Sequence, residues 1–290
     1  MPADLRRSVE AWRAQRHAAL RRPMSWLTLV GLDFLEAGRN RIGSDPGNEV
    51  TLPGGPSLAG VITLRDGVAT ASSEAGGFRV DRVPVDGLEL VSDYDETDDR
   101  PATTLEIGSL RVRLIRRGAA RERFGLRTWD VEAPVRDAFT GVPHWPVDPA
   151  WVVEARFEPA EPGATLTVPD VLGDLLEETT PGAVAFEVAG SSCRVDAVEG
   201  GDAGELWLIF GDATNGTETY GGGRFLYTPA PRPDGLVTVD FNRAYNPPCV
   251  FSPYATCPLP PAGNRLGVRV EAGELLFTPH ALAHRYTARR

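Results

Sequence analysis

The clearest helical spacing lies at the start of the chain. In PADLRRSVEAWRAQRHAALRRP, Leu5, Val9, Trp12, Arg16, Ala19 and Leu20 fall on one stripe, and Pro23 stops the pattern. The spacing predicts an amphipathic helix over residues 1–23, its stripe packed on the segments C-terminal to it. From residue 24 to 134 the period drops to two. NRIGSDPGNEVTLP, GVITLRDGVATASS, GFRVDRVPVDGLELVSD, TTLEIGSLRVRLIRRG and RFGLRTWDVEAP are short alternating runs, broken at Asp66-Gly67, Gly76-Gly77 and Asp86-Gly87. LRVRLIRRG puts Leu110, Val112 and Leu114 on one face and Arg111 and Arg113 on the other. Such runs predict an antiparallel sandwich or barrel. Residues 135–151, rich in proline and aromatic residues, read as an ordered crossover. Residues 152–290 return to strand patterns in WVVEARFEP, ATLTVPDVLG, VAFEVAGSSCRVDAVEG, ELWLIFGD, GGRFLYTPAP, GLVTVDFN and NRLGVRVEAGE, with ELWLIF the most buried. The expected fold is mainly β: a helix, a sandwich, and a second antiparallel unit, a barrel or roll, packed against it.

Composition narrows the function. With 31 glycines and 25 prolines the chain favours turns over long helices. All 30 basic residues are arginine, so a Walker-type phosphate loop, Schiff-base chemistry and kinase catalysis lack their lysine. A net charge of −10 disfavours nucleic acid as a partner. Arg6, Arg7, Arg13, Arg16, Arg21 and Arg22 read as a solvated helix face. No apolar run reaches the roughly eighteen residues a membrane span needs, and the start lacks a signal-peptide core. A cytoplasmic, bacterial-type protein is expected.

Candidate chemistry concentrates in two blocks. DATNGTETYGGGRFL offers Asn215, Tyr220 and Arg224 beside three glycines, either a nest of amides facing an anion or a hairpin that needs glycine. DFNRAYNPPCVFSPYATCPLPPAGNRL offers Asp240, Asn242, Tyr245, Asn246, Asn264 and Arg265 on a proline-pinned loop. Cys249 and Cys257 within it read as buried thiols, as a disulfide, or, for Cys249, as a nucleophile in need of a base. His144, between prolines and beside Trp145, is the histidine placed to serve, or an aromatic filler. His17 reads as solvated on the helix, and His280 and His284 as a solvated tail. Asp130, Asp240, Glu271 and Glu274 could pair with Arg127, Arg224 and Arg265. Neither a G-x-S-x-G elbow nor an H-E-x-x-H motif occurs, and neither a metal site nor a cofactor is expected.

GRNRIGSDPGNEVTLP resembles the opening of a forkhead-associated domain, with Gly38, Arg39, Ile42, Gly43, Asn48 and Leu52 at matching positions. Of that family's serine-arginine-x-histidine element only Ser57 stands here, and GGFRVDRVPVDG replaces its asparagine-glycine signature. The resemblance implies a forkhead-associated-like β-sandwich over 24–134 rather than phosphothreonine capture. Through WLTLVGLDFLEAGRNRIGSDPGNEVTLP, FTGVPHWPVDP and the two C-terminal blocks, the chain resembles the bacterial family named domain of unknown function 1684. That resemblance implies a shared architecture, points at the C-terminal blocks and supplies no reaction.

These observations lead to a small-molecule enzyme of hydrolytic or other acid–base type, or a ligand-binding protein, acting on a small polar molecule in the C-terminal unit. His144, Asp240, Tyr245 and Cys249 are its candidate catalytic groups. Asn215, Tyr220, Arg224, Asn242, Asn246, Asn264 and Arg265 are its candidate binding groups. The alternative is an interaction module using the forkhead-associated-like part.

Overall fold

The computed structural model describes residues 2–75, 77–201 and 204–278; His280 and His284 lie outside them. The chain divides into two compact units. One holds residues 20–139 and 252–255, the other residues 2–19, 140–251 and 256–278.

Helix α1 (Pro2–Leu20) follows the apolar stripe: Val9 is fully buried, and Leu5, Trp12 and Arg16 are half-buried, although Ala19 is exposed. It packs on residues far along the chain. Arg13 Nη2 donates to the Trp145 carbonyl at 3.0 Å, and His17 Nε2 accepts from the Val142 N–H at 3.1 Å. Arg13, Arg16 and His17 therefore turn inward, unlike the solvated face expected of them, because buried acceptors and donors on the far segment require partners.

In the first unit, eleven strands form two sheets. They are β1 (Leu29–Phe34), β2 (Gly38–Gly43), β3 (Val50–Thr51), β4 (Gly60–Arg65), β5 (Val68–Ser73), β6 (Arg79–Val80), β7 (Val83–Pro84), β8 (Leu88–Glu89), β9 (Thr104–Ile107), β10 (Leu110–Arg117) and β11 (Arg123–Asp130). The sheet orders are β1-β11-β10-β9-β6-β7 and β3-β2-β4-β5-β8. All pairs are antiparallel except β2 with β3. Leu110, Val112 and Leu114 point into a core shared with Ile42, Ile62 and Ala71 of the other sheet, as their alternation predicts. Asp66 and Gly67 both take positive φ, the geometry of a tight hairpin turn between β4 and β5. Gly43 must be glycine for a different reason: a Cβ there would collide with the Ser57 backbone. Asn48 Nδ2 pins the same carbonyl at 2.7 Å. A short helix, α2 (Val135–Ala138), follows β11.

The second unit is built on one six-stranded antiparallel sheet, ordered β18-β17-β16-β15-β12-β19. Its strands are β12 (Val152–Pro159), β15 (Gly182–Val188), β16 (Ser191–Glu199), β17 (Leu206–Phe210), β18 (Arg224–Thr228) and β19 (Leu236–Asp240). A separate hairpin pairs β13 (Thr165–Pro169) with β14 (Leu175–Thr179). The core gathers Val184, Val195, Leu208, Leu226 and Val239 from the sheet, together with Phe241, Leu266 and Val270 from the segment after it. That segment is where the strand expectation fails: NRLGVRVEAGE makes no strand. Its backbone is satisfied piecemeal, by Leu266 N–H to the Gly211 carbonyl at 2.8 Å and Ala213 N–H to the Val268 carbonyl at 2.9 Å. Glu274 N–H reaches the Ala244 carbonyl at 2.8 Å, and side chains bind Val270 and Ala272, so alternating apolar residues here mark an irregular segment lying on the core. Among the described residues no helix is long and apolar enough to cross a membrane.

Leu208 is 1% exposed in this core. Leu208→Ala should lower unfolding stability by about 2–5 kcal/mol through lost burial and the cavity left behind, measured as a drop in the urea midpoint.

Candidate functional site

The irregular segment is held by side chains in the second unit. Arg224, 0% exposed, donates through Nε and Nη2 to Asp212 Oδ2 at 3.1 and 2.7 Å. It also donates to the carbonyls of Val270 (2.8 Å) and Ala272 (2.5 Å). Burial pushes the Arg224 guanidinium below its ordinary value, while Asp212 opposes that shift. Asp212 Oδ1 accepts from the N–H of Thr214 and of Val270, so both carboxylate oxygens are engaged. Asn215 closes the same turn, accepting from Asp212 N–H at 2.8 Å and donating to Thr219 Oγ1 at 2.8 Å. The three glycines complete a turn, and Gly223 (φ 92) sits where a Cβ would meet Pro260 and, at 2.7 Å, the Phe210 carbonyl.

Two asparagines bracket neighbouring segments in the same manner. Asn264 accepts from Asp196 N–H and donates to the carbonyls of Asp196 and Ile209, all within 2.9 Å. Asn242 accepts from Asp148 N–H at 2.9 Å and donates to the Asp148 carbonyl at 3.0 Å. Both are fully buried. Asn246 and Glu274, also fully buried, belong to a third group. Glu274 is ion-paired with Arg16 and accepts from the Asn246 N–H at 2.7 Å. Arg16 donates to the Asn246 carbonyl at 3.0 Å. His144 Nε2 lies 4.0 Å from Glu274, and its ring packs against His17 at 5.5 Å between centroids. Burial first, then the charges of Arg13 and His17, hold His144 down to about 3. Glu274, already neutralised by Arg16, leaves it uncharged.

Cys249 and Cys257 are thiols and not a disulfide, with the Cys249 N–H directed at Cys257 Sγ. Tyr220 lies beside them, its phenol pushed up by burial and then by the two cysteines. Arg265 is exposed. The charge pairs differ from those expected: Glu274 takes Arg16, Asp240 takes Arg243 and Glu271 takes Arg269.

Of the anticipated residues, Asp240 and Tyr245 line a pocket, one of about 420 Å³, with Trp12, Glu205, Tyr227, Thr228, Pro229, Thr238 and Arg243. The aromatic rings are ordered. Trp207, Tyr227 and Tyr245 form a ladder with centroids 6.0 and 6.2 Å apart and planes within 11° of parallel. The Arg16 guanidinium stands 4.5 Å from the Tyr245 ring centre, and Trp12 packs on that ring at 6.4 Å. Burial raises both phenols: at Tyr227 the hydrogen bond with Tyr245 opposes and Glu205 adds to the rise, and at Tyr245 Tyr227 adds to it while Arg16 opposes. Asp240 Oδ2 accepts from Arg243 Nε at 3.2 Å, and Arg243 Nη2 also donates to Ser8 Oγ at 2.6 Å. Sequence reasoning missed Trp12, Glu205, Tyr227 and Arg243 as site residues. One signal was present: Tyr227 occupies the outward position of RFLYT, where a polar residue is usual.

The family described as protein of unknown function (DUF1684) matches residues 137–275. Over 48% of its length the chain is 32% identical to an uncharacterized protein of Haloarcula marismortui known from a solution NMR structure, of which it covers 78%, with a TM-score of 0.41. The chain belongs to the DUF1684 family. No curated protein matches it. The DUF1684 segment contains every lining residue of the pocket except Trp12, which α1 contributes.

Asp212→Ala should cost about 3–5 kcal/mol of stability, because it strands a buried guanidinium, and chemical denaturation would show it. A second expectation concerns pH. Between about 6.5 and about 3 the unfolded chain accepts a proton that folded His144 refuses, so stability falls as pH drops through that window. His144→Phe should shrink the loss of urea midpoint between pH 7 and pH 5.

Proposed function

We propose that this protein binds a small polar molecule in the pocket of its second unit, and that any acid–base chemistry there falls to Asp240 and Tyr245. The observation that carries the reading is convergence. Rings from α1, β18 and the loop after β19, a carboxylate–guanidinium pair and two threonines meet around one concavity. Its volume, about 420 Å³, suits a small ligand. Most other residues anticipated as binding groups are spent on internal hydrogen bonds, which supports a structural role for Arg224, Asn242, Asn246 and Asn264. His144, packed on His17 and facing Glu274, does not line this pocket, whereas Asp240 does. A larger hollow of about 710 Å³ in the first unit is lined by strand and turn residues and includes one aromatic ring, Phe124.

A forkhead-associated-like identity for the first unit is also our proposal. The packing of Gly43 against the Ser57 backbone, and the Asn48 hydrogen bond that fixes that loop, support it.

Tyr227, 44% exposed, allows a clean test of the pocket. In a ligand screen monitored by NMR, hits should perturb the indole of Trp12. Tyr227→Ala, which also removes two ring contacts, should cost about 1–3 kcal/mol of stability yet leave the chain folded, and should weaken those hits about tenfold, the effect of removing a contact worth roughly 1.4 kcal/mol. Hits that bind elsewhere, or that ignore the substitution, would refute the pocket assignment.

A further inference from the structure

We infer that the pocket selects a small organic cation, an ammonium-bearing molecule. This rests on the pocket being a ligand site, and adds the charge of its occupant.

Two of the charges that line the pocket already answer each other. Arg243 is committed on two sides, to Asp240 at 3.2 Å and to Ser8 at 2.6 Å. Asp240 in turn takes Arg243 on Oδ2 and the N–H and side-chain amide of Asn242 on Oδ1. That pair is close to neutral as a unit. Glu205 remains: among the described residues its carboxylate has no ion pair, yet it lies close enough to Tyr227 to disfavour loss of the phenol proton. Among the residues that line the pocket, Glu205 is therefore the one charge without an ion pair, while Arg13, which does not line it, also acts on Asp240. A field that penalises a phenolate favours a cation in the same place.

The walls agree with the charge. Trp12, Tyr227 and Tyr245 are electron-rich rings, and such rings attract cations through their quadrupoles. Tyr245 already does so on one side, where the Arg16 guanidinium stands 4.5 Å from the ring centre. An anion would meet Glu205 and Asp240 with only the committed Arg243 to receive it. A neutral apolar molecule would leave the Glu205 carboxylate partly desolvated and unpaired, which costs free energy.

The test uses the full chain and three probes: choline, its uncharged isostere with carbon in place of nitrogen, and acetate. Binding is measured by calorimetry and by NMR shifts at Trp12. Choline should bind at least about tenfold more tightly than the isostere, with acetate weakest. Glu205→Gln, a surface substitution, should reduce that preference to the part the rings supply while leaving the melting temperature unchanged. Equal binding of choline and the isostere at Trp12, or tighter binding of acetate there, overturns the cation and leaves the pocket standing. If neither these probes nor any member of a polar fragment set moves the Trp12 signal, the pocket reading falls, and the cation with it.

Discussion

A carboxylate with no exposed surface has to be met by positive charge and by hydrogen-bond donors, or it is not tolerated as an anion. Glu274 is in that position, and much of the second unit answers to it. Arg16 crosses from α1 to meet it, and the Asn246 amide closes the other side. Meeting that demand fixes the rotation of the helix about its axis, since Arg16 can reach Glu274 from only one orientation. The same rotation brings Trp12, four residues earlier and so on the same helix face, against Tyr245. The pocket wall is thus a consequence of how one buried charge is neutralised.

The remaining buried polar groups follow related logic. Where the chain gives up strand geometry after Asp240, the carbonyls of Val270 and Ala272 lack a neighbouring strand, and Arg224 supplies the missing donors. Asn242 and Asn264 act as local substitutes for ladder pairing, each offering an acceptor and a donor to one distant residue's backbone. Side chains of this kind look like ligand-binding residues in a sequence, because both tasks call for dense, directional polarity. What separates them is burial, which composition does not encode.

The legible parts of the chain were those governed by local periodicity. The alternation in LRVRLIRRG predicted which residues of β10 face the core, and the spacing of Leu5, Val9 and Trp12 predicted the buried side of α1. Even Arg16, an odd member of an apolar stripe, had a physical meaning that surfaced only with Glu274 beside it. NRLGVRVEAGE shows the limit: its alternation is real, yet its partners are Gly211, Ala213 and Arg224, brought in from elsewhere in the chain. For the pocket, Asp240 and Tyr245 were accessible because they sit in a conspicuous block. Arg243 sits in the same block, whereas Glu205 and Tyr227 lie outside it and look like ordinary surface residues until the sheet places them together. Trp12 lies outside the segment that the DUF1684 family covers, so neither local pattern nor family extent links it to the site.

The span between Arg16 and Glu274, 258 positions in sequence, has a consequence for how the molecule is made. On a ribosome Arg16 emerges 258 positions before its charge partner, so until Glu274 follows the guanidinium stays hydrated. The sheet of the second unit can assemble meanwhile from its own strands, but the concavity beside it acquires its indole wall only after Glu274 has left the exit tunnel. Completion of the site is therefore tied to completion of synthesis through this region, and a nascent or prematurely terminated chain would carry the sheet without a finished binding surface.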